Sequence, residues 1–169
     1  PGILWSDGSP FTSADVLFTY DYCMGEAGCY QEAKFEGVTT VEAVDDLTVK
    51  ISFADPMPNP YGPFVGSQTP ILQQAQFENC TGTRRQECTE ENFGPIGTGP
   101  FVVTEFKPND VIQLKANDNY RDASKPAFAT MVFKGGGDAA AAGRAVMETG
   151  EYDYGWNLQL APEVINQMA

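Results

Sequence analysis

The spacing of apolar and polar residues predicts two β-hairpins, one in each half of the chain. Segments 38–44 and 47–53 are rich in β-branched residues, and the two aspartates between them are typical of a tight turn. Segments 101–106 and 111–116 repeat this arrangement around a four-residue turn. Because neighbouring strands joined by short turns pair antiparallel, we expect two antiparallel hairpins.

Helical patterns mark three further segments. Thr12 is typical of an N-cap, and apolar residues recur after it at helical spacing as far as Cys23. Asp138 precedes the alanine-rich segment 139–149, which a glycine follows. The segment 161–168 carries a proline in its first turn, where helices tolerate it. The sequence therefore predicts three helices, spread over both halves of the chain.

The order of elements near the carboxyl end predicts a βαβ unit. A short apolar strand at 131–134 is followed by the helix 139–149 and then by the aromatic, extended segment 152–156. A strand, a helix and a second strand in this order form a parallel pair with a right-handed crossover. The predicted fold class is therefore mixed α/β, with antiparallel hairpins and one βαβ unit.

Composition and charge exclude several classes of function. The chain has 169 residues, of which 42% are hydrophobic, enough for a globular core. With 23 acidic and 10 basic residues its net charge is −13, so we expect no binding to nucleic acid or to anionic membrane surfaces. The absence of histidine excludes histidine-dependent catalytic triads and histidine-ligated zinc.

Targeting and membrane-spanning segments are not visible in the sequence. No apolar run approaches the ~20 residues of a transmembrane helix. The first residues also lack the basic region and apolar run of a signal peptide. We therefore expect a chain that is cytoplasmic, already processed, or cut from something longer.

The four cysteines lie in two close pairs, Cys23 with Cys29 and Cys80 with Cys88. Loop closure favours these local pairings over the other two connectivities. In the chain-entropy model each bridge would contribute about 2 kcal/mol. A zinc site and four buried free thiols are alternatives, although the spacing is not that of a zinc knuckle. We expect two disulfides, no bound metal and an oxidising compartment.

The residues at the end of the last predicted strand are candidates for ligand binding. Ligands of open α/β sheets bind at the carboxyl ends of parallel strands. Aromatic rings next to an amide suit a small polar ligand. The candidates are Tyr154, Gly155, Trp156 and Asn157. The alternative is that Trp156 belongs to the core, as buried tryptophans often do.

Paired carboxylates leave an extracellular enzyme open as an alternative. A glycan hydrolase needs two carboxylates on facing walls of a cleft, and Glu151 and Asp153 are the candidates. Solvated acids in turns give the same sequence pattern. A third alternative is a disulfide-linked surface module that interacts with other proteins and has no pocket.

Six short motifs stand in order along the chain. They are Trp5–Gly8, Phe11–Val16, Val41 with Asp45–Val49, Pro95–Phe101, Asn117–Tyr120 and Gly150–Asp153. Their order and spacing resemble, over nearly the whole chain, the bacterial extracellular solute-binding proteins of family 5, which serve ABC importers of peptides and nickel. One departure is Arg121, where this family commonly carries tryptophan.

The resemblance implies a particular architecture. Members of this family have two lobes around a hinge, and one lobe carries an extra subdomain. The resemblance assigns residues 1–92 to part of the extra subdomain of the first lobe, and residues 93–169 to part of the first ligand-binding lobe. It therefore implies a periplasmic-binding-protein-like lobe fragment, with the second lobe missing from this chain.

The same resemblance implies a function. A small solute, most simply a peptide, would be bound without covalent chemistry and passed to the membrane permease of an ABC importer. The location would be periplasmic or extracellular, with a lipid anchor as one option for the full-length protein. The resemblance also assigns Trp156 and Asn157 to the lining of the cleft, and it implies neither enzyme activity nor a cofactor.

Overall fold

The secondary structure of the computed structural model is described for residues 1–26, 28–135 and 137–168. Two short 3₁₀ helices cover Glu32–Phe35 and Gly82–Glu87. The strands are β1 (Val38–Asp45), β2 (Thr48–Phe53), β3 (Phe101–Lys107), β4 (Val111–Ala116) and β5 (Thr130–Lys134). The α-helices are α1 (Ser13–Met24), α2 (Gln74–Phe77), α3 (Thr89–Phe93), α4 (Ala139–Met147) and α5 (Pro162–Met168). Among the described residues, none of these helices combines the length and the apolar character needed to cross a bilayer.

The strands form two sheets. β1 and β2 pair antiparallel, with Val41 opposite Ile51 and Ala43 opposite Val49. The second sheet has the strand order β3-β4-β5. Both predicted hairpins are confirmed, because their strands differ from the predicted bounds by at most one residue.

Helix α1 begins at the predicted cap. The Asp15 carboxylate accepts a hydrogen bond from the Thr12 backbone N–H at 3.0 Å, as in a capping box. Ser13 joins this helix end to the first hairpin: its N–H donates to the Asp46 carbonyl at 2.9 Å, and its hydroxyl donates to the Asp45 carbonyl at 2.7 Å. The start of α1 and the turn of the hairpin are therefore fixed together.

The chain separates into two compact units. The first comprises Pro1–Phe106 and Gln113–Val132, and the second comprises Lys107–Ile112 and Phe133–Ala169. In the first unit the largest fully buried side chains are Trp5, Phe35, Thr19 and Cys80. In the second unit a Cβ on the buried Gly143 of α4 would lie 3.0 Å from Leu160 and 3.4 Å from Met168. The missing side chain therefore lets α4 and α5 approach closely.

Both predicted disulfides are formed. Cys23 bonds to Cys29 and Cys80 bonds to Cys88, with Cα–Cα distances of 4.5 and 5.9 Å. All four cysteines are paired, so the zinc and free-thiol alternatives are wrong. Cys80 and Cys88 are buried with Phe77, which makes the second bridge part of the core of the first unit.

The predicted βαβ unit is wrong in its second strand. β5 and α4 are present, but residues 152–156 form no strand. The backbone N–H groups of Glu151 and Tyr152 both donate to the carbonyl of Ala145, at 2.8 and 3.2 Å. Gly150, with a φ of 63°, allows the chain to turn back in this way. Because these N–H groups close the end of α4, they are not available to a sheet.

Candidate ligand-binding site

The candidate residues 154–157 follow α4 in the second unit. A Cβ on Gly155 would lie 2.5 Å from Leu158 Cδ1 and 3.2 Å from Leu158 Cγ, with Val146 Cγ2 at 3.7 Å. Any larger residue would displace Leu158. Gly155 therefore holds this segment close to the side chains beneath it.

Two aromatic side chains flank Gly155 and lie in solvent. Tyr154 is 72% exposed and Trp156 is 79% exposed. Within this chain Trp156 is thus not a core residue, although large rings normally bury most of their surface. Asn157 is also exposed, and its backbone is left-handed at a φ of 49°, which asparagine adopts more readily than most residues. This short segment therefore leaves two rings and an amide exposed to solvent.

An ion pair lies in the same unit. The Lys134 ammonium donates to the Asp110 carboxylate, and both side chains are half-exposed. This hydrogen bond raises the pKa of Lys134 above its ordinary value and lowers the pKa of Asp110 below its own. The negative charge of Glu151 adds a smaller upward contribution to the pKa of Lys134. Glu151 is therefore close enough to Lys134 for the two charges to interact.

The carboxylates considered for catalysis are solvated. Glu151 and Asp153 are both exposed. Neither residue lines either of two cavities in the first unit, of about 150 and 290 Å³. The smaller cavity is apolar around Ile3, Phe11 and Leu47. The structure therefore places these two acids in the same exposed segment as the candidate rings.

A buried polar network in the first unit contains several of the sequence motifs. Asp15, only 6% exposed, accepts three hydrogen bonds through its carboxylate. The donors are Trp5 Nε1 at 3.2 Å, the Thr12 N–H at 3.0 Å and the Gln74 N–H at 2.9 Å. Trp5 itself is 2% exposed. The motif residues Trp5 and Asp15 therefore stabilise the fold, because each satisfies the polar group of the other.

Gln73 extends this network. Its side-chain amide donates to Asp7 at 2.8 Å and to the Ser9 hydroxyl at 2.9 Å. Burial raises the pKa of Asp7, but the hydrogen bonds from Ser9 and Gln73 outweigh it, so that the pKa lies below its ordinary value. Sequence reasoning missed Gln73, because an isolated glutamine carries no local signal of a partner 66 residues away.

Hydrogen bonds join two further motifs, Pro95–Phe101 and Asn117–Tyr120, to the first motif, Trp5–Gly8. The Asn117 side chain donates to the Gly99 carbonyl at 2.7 Å, and the Asn119 side chain donates to the Ser6 carbonyl at 3.1 Å. The Ser6 N–H donates to the Gly97 carbonyl at 2.9 Å. Hydrogen bonds therefore join the segments around Ser6, Gly97 and Asn117. These segments are far apart in the sequence, so local sequence patterns do not predict the hydrogen bonds.

Comparison with protein families gives one match over nearly the whole chain. The family described as bacterial extracellular solute-binding proteins, family 5 Middle, matches residues 1–167. A Brucella ovis protein, named as an ABC transporter peptide-binding protein, is 29% identical over 153 residues, which are 89% of this chain and 28% of that protein.

Solved structures give the same picture. The oligopeptide-binding protein AppA of Bacillus subtilis, in complex with a nonapeptide, is 29% identical with a TM-score of 0.75, over 89% of this chain and 29% of that one. OppA of Haemophilus influenzae, in complex with RPPGFSPFR, shares the fold at 20% identity and a TM-score of 0.75, over 98% of this chain and 34% of that one. The chain thus spans about a third or less of the length of these relatives.

Proposed function

The chain belongs to the bacterial extracellular solute-binding proteins of family 5, and we propose that it is part of the peptide-binding component of an ABC importer. The Brucella ovis relative is named for peptide binding, and the Bacillus subtilis structure holds a nonapeptide. Because the chain spans less than a third of either protein, the proposal concerns the complete protein that contains it.

The proposal assigns each part of the chain a place in a two-lobe protein. Residues 1–92 form part of the extra subdomain of the first lobe, and residues 93–169 form part of the first ligand-binding lobe. The rest of the complete protein supplies the second lobe. The two lobes close on the solute by hinge motion, and the membrane permease recognises the closed form.

The exposure of Trp156 carries the assignment of the binding segment. A tryptophan that leaves most of its surface in water loses hydrophobic stabilisation, so it is expected where a partner or ligand covers it. Tyr154, Gly155 and Asn157 complete the segment, with two rings for ligand contact and an amide for hydrogen bonds. The segment binds the solute and does no covalent chemistry on it.

The proposed location is the periplasm or the cell exterior. Disulfides persist in oxidising compartments and are rare in the cytosol, and both bridges are formed here. Lipid anchoring of the complete protein remains one way of keeping it near the permease.

Isothermal titration of the complete protein tests the proposal. Peptides of increasing length are titrated alongside single amino acids, sugars and nickel chelates. We expect saturable binding of peptides, with dissociation constants of about micromolar or below. Binding of another class with no response to any peptide would contradict the proposed substrate.

The 169-residue chain is the matched comparison. Since both lobes contribute to the proposed binding cleft, this chain alone should bind the same peptides at least about 100-fold more weakly than the complete protein does. Equal affinity of the chain and the complete protein would show that the second lobe is not needed, and would contradict the two-lobe mechanism.

A further inference from the structure

The chemistry of segment 153–156 indicates which peptides it selects. Resting on the proposed function, we propose that this segment favours peptides with a positively charged side chain. The cation would lie against the rings of Tyr154 and Trp156, with the Asp153 carboxylate as its counter-charge.

The aromatic rings supply the first part of this preference. Tyr154 and Trp156 stand on either side of Gly155, and both are largely exposed. The face of an aromatic ring attracts a cation, and tryptophan does so most strongly. A ligand ammonium or guanidinium group gains this attraction as well as contact with the ring, whereas a neutral side chain gains the contact alone.

The second unit has more acidic than basic residues, and its basic residues already have partners. This unit carries six acidic and three basic residues. Lys134 is paired with Asp110, and Arg144 Nη1 lies 2.9 Å from Glu148 Oε1. Lys107 also has a partner.

Asp153 differs from these paired acids. Among the described residues no hydrogen bond or ion pair is formed by its side chain, and it is exposed next to Tyr154. The basic residues of its own unit are paired with other groups, as described above. A cationic ligand group would supply the missing partner, and the net charge of −13 of the whole chain would draw such ligands in.

Matched peptides test this selectivity in the complete protein. Alanine-based peptides, from tripeptides to nonapeptides, carry either one lysine or one norleucine, which has a neutral side chain of similar length. We expect the lysine peptides to bind about 3- to 10-fold more tightly, as an exposed cation–π contact and one ionic contact allow. The difference should shrink in higher salt, because exposed charges are screened.

Three variants connect the preference to the segment. The preference is measured as the dissociation constant of the norleucine peptide divided by that of the lysine peptide. Asp153→Asn and Trp156→Leu should each reduce this ratio to about one half or less of its wild-type value. Glu163→Gln is the control, because it removes an exposed acid in the first turn of α5, outside the segment. It should leave the ratio unchanged.

The outcomes distinguish this selectivity from the proposed function. Peptide binding with no lysine preference, or with a preference that both segment variants retain, would overturn the selectivity and leave peptide binding intact. No binding of any peptide would overturn the proposed function itself, and the selectivity would fall with it.

Discussion

Two regions of the molecule use the same residue types in opposite ways. In the first unit Trp5 is buried and donates its indole N–H to Asp15. In the second unit Trp156 is 79% exposed, and Asp153 lies in solvent near it in the sequence. Trp5 and Asp15 are hydrogen-bonded to each other inside the protein. The ring of Trp156 and the charge of Asp153 are exposed and accessible to a ligand.

The difference teaches how to separate structural residues from candidate ligand-binding residues in this chain. Burial of a polar group is costly unless it is hydrogen-bonded, so the donors around Asp15 are part of the stability of the fold. An exposed ring contributes little to stability and is free to contact a ligand. We therefore expect substitutions in the first region to change the free energy of unfolding, and those in the second to change affinity.

The largest effect is expected from Asp15→Ala. This change leaves the indole N–H of Trp5 and the backbone N–H groups of Thr12 and Gln74 without their acceptor. We expect a loss of about 3 kcal/mol or more in the free energy of unfolding, measured with urea. The matched control Asp153→Ala should change it by less than about 0.5 kcal/mol. Similar losses in both variants would contradict the distinction between the two regions.

The next effect concerns the two disulfides of the first unit. Replacing Cys80 and Cys88 by serine removes about 2.5 kcal/mol of chain-entropy stabilisation and also places polar groups in a buried cluster. Replacing Cys23 and Cys29 should cost less, because Cys29 is only half-buried. Urea unfolding of both double variants measures the two losses of stability. A larger loss for the Cys23/Cys29 variant would show that burial does not decide which bridge contributes more.

A smaller effect is expected when each tryptophan is replaced by phenylalanine. Trp5→Phe removes one hydrogen-bond donor and part of a buried ring, at a cost of about 1–2 kcal/mol. Trp156→Phe should cost less than about 0.5 kcal/mol. The chain has only these two tryptophans, so each variant also reports on the other one by fluorescence. Acrylamide should quench Trp156 strongly and Trp5 weakly, and equal quenching would argue against the assigned burial.

The smallest effect is a dependence on pH. The pKa of Asp7 in the folded state lies below its ordinary value of 3.8. Its contribution to stability is therefore complete above that value and is lost as the pH falls through the lower folded pKa. Between about pH 5 and pH 3 the wild type should lose more stability than Asp7→Asn, because only the wild type carries the carboxyl whose pKa is lowered in the folded state. Parallel curves for the wild type and Asp7→Asn would rule out this role for Asp7.

Local features of the fold were accessible from the sequence, and long-range ones were not. The hairpins, the Thr12 cap and the disulfides are fixed by residues close together in the chain, so their patterns identify them. The hydrogen bonds from Gln74 to Asp15 and from Gln73 to Asp7 join residues that are 59 and 66 positions apart. No local sequence pattern predicts such pairs.

The failed strand prediction has a similar origin. An aromatic run such as 152–156 is typical of a strand, but a strand also needs a partner for its backbone. Here the N–H of Tyr152 is bound by Ala145 at the end of α4. The candidate residues were predicted from their types, from the family resemblance and from their place at the end of a strand that the structure does not contain. Their exposure became visible only in the structure.

The contrast between the two regions is tested most directly by the affinity of Trp156→Leu in the complete protein. Isothermal titration with its best peptide should show binding at least about 5-fold weaker than in the wild type, while urea unfolding stays within about 0.5 kcal/mol. Tyr30→Leu, which removes an exposed ring of the first unit, should leave the affinity unchanged. Wild-type affinity in Trp156→Leu would contradict the assignment of this segment to the ligand.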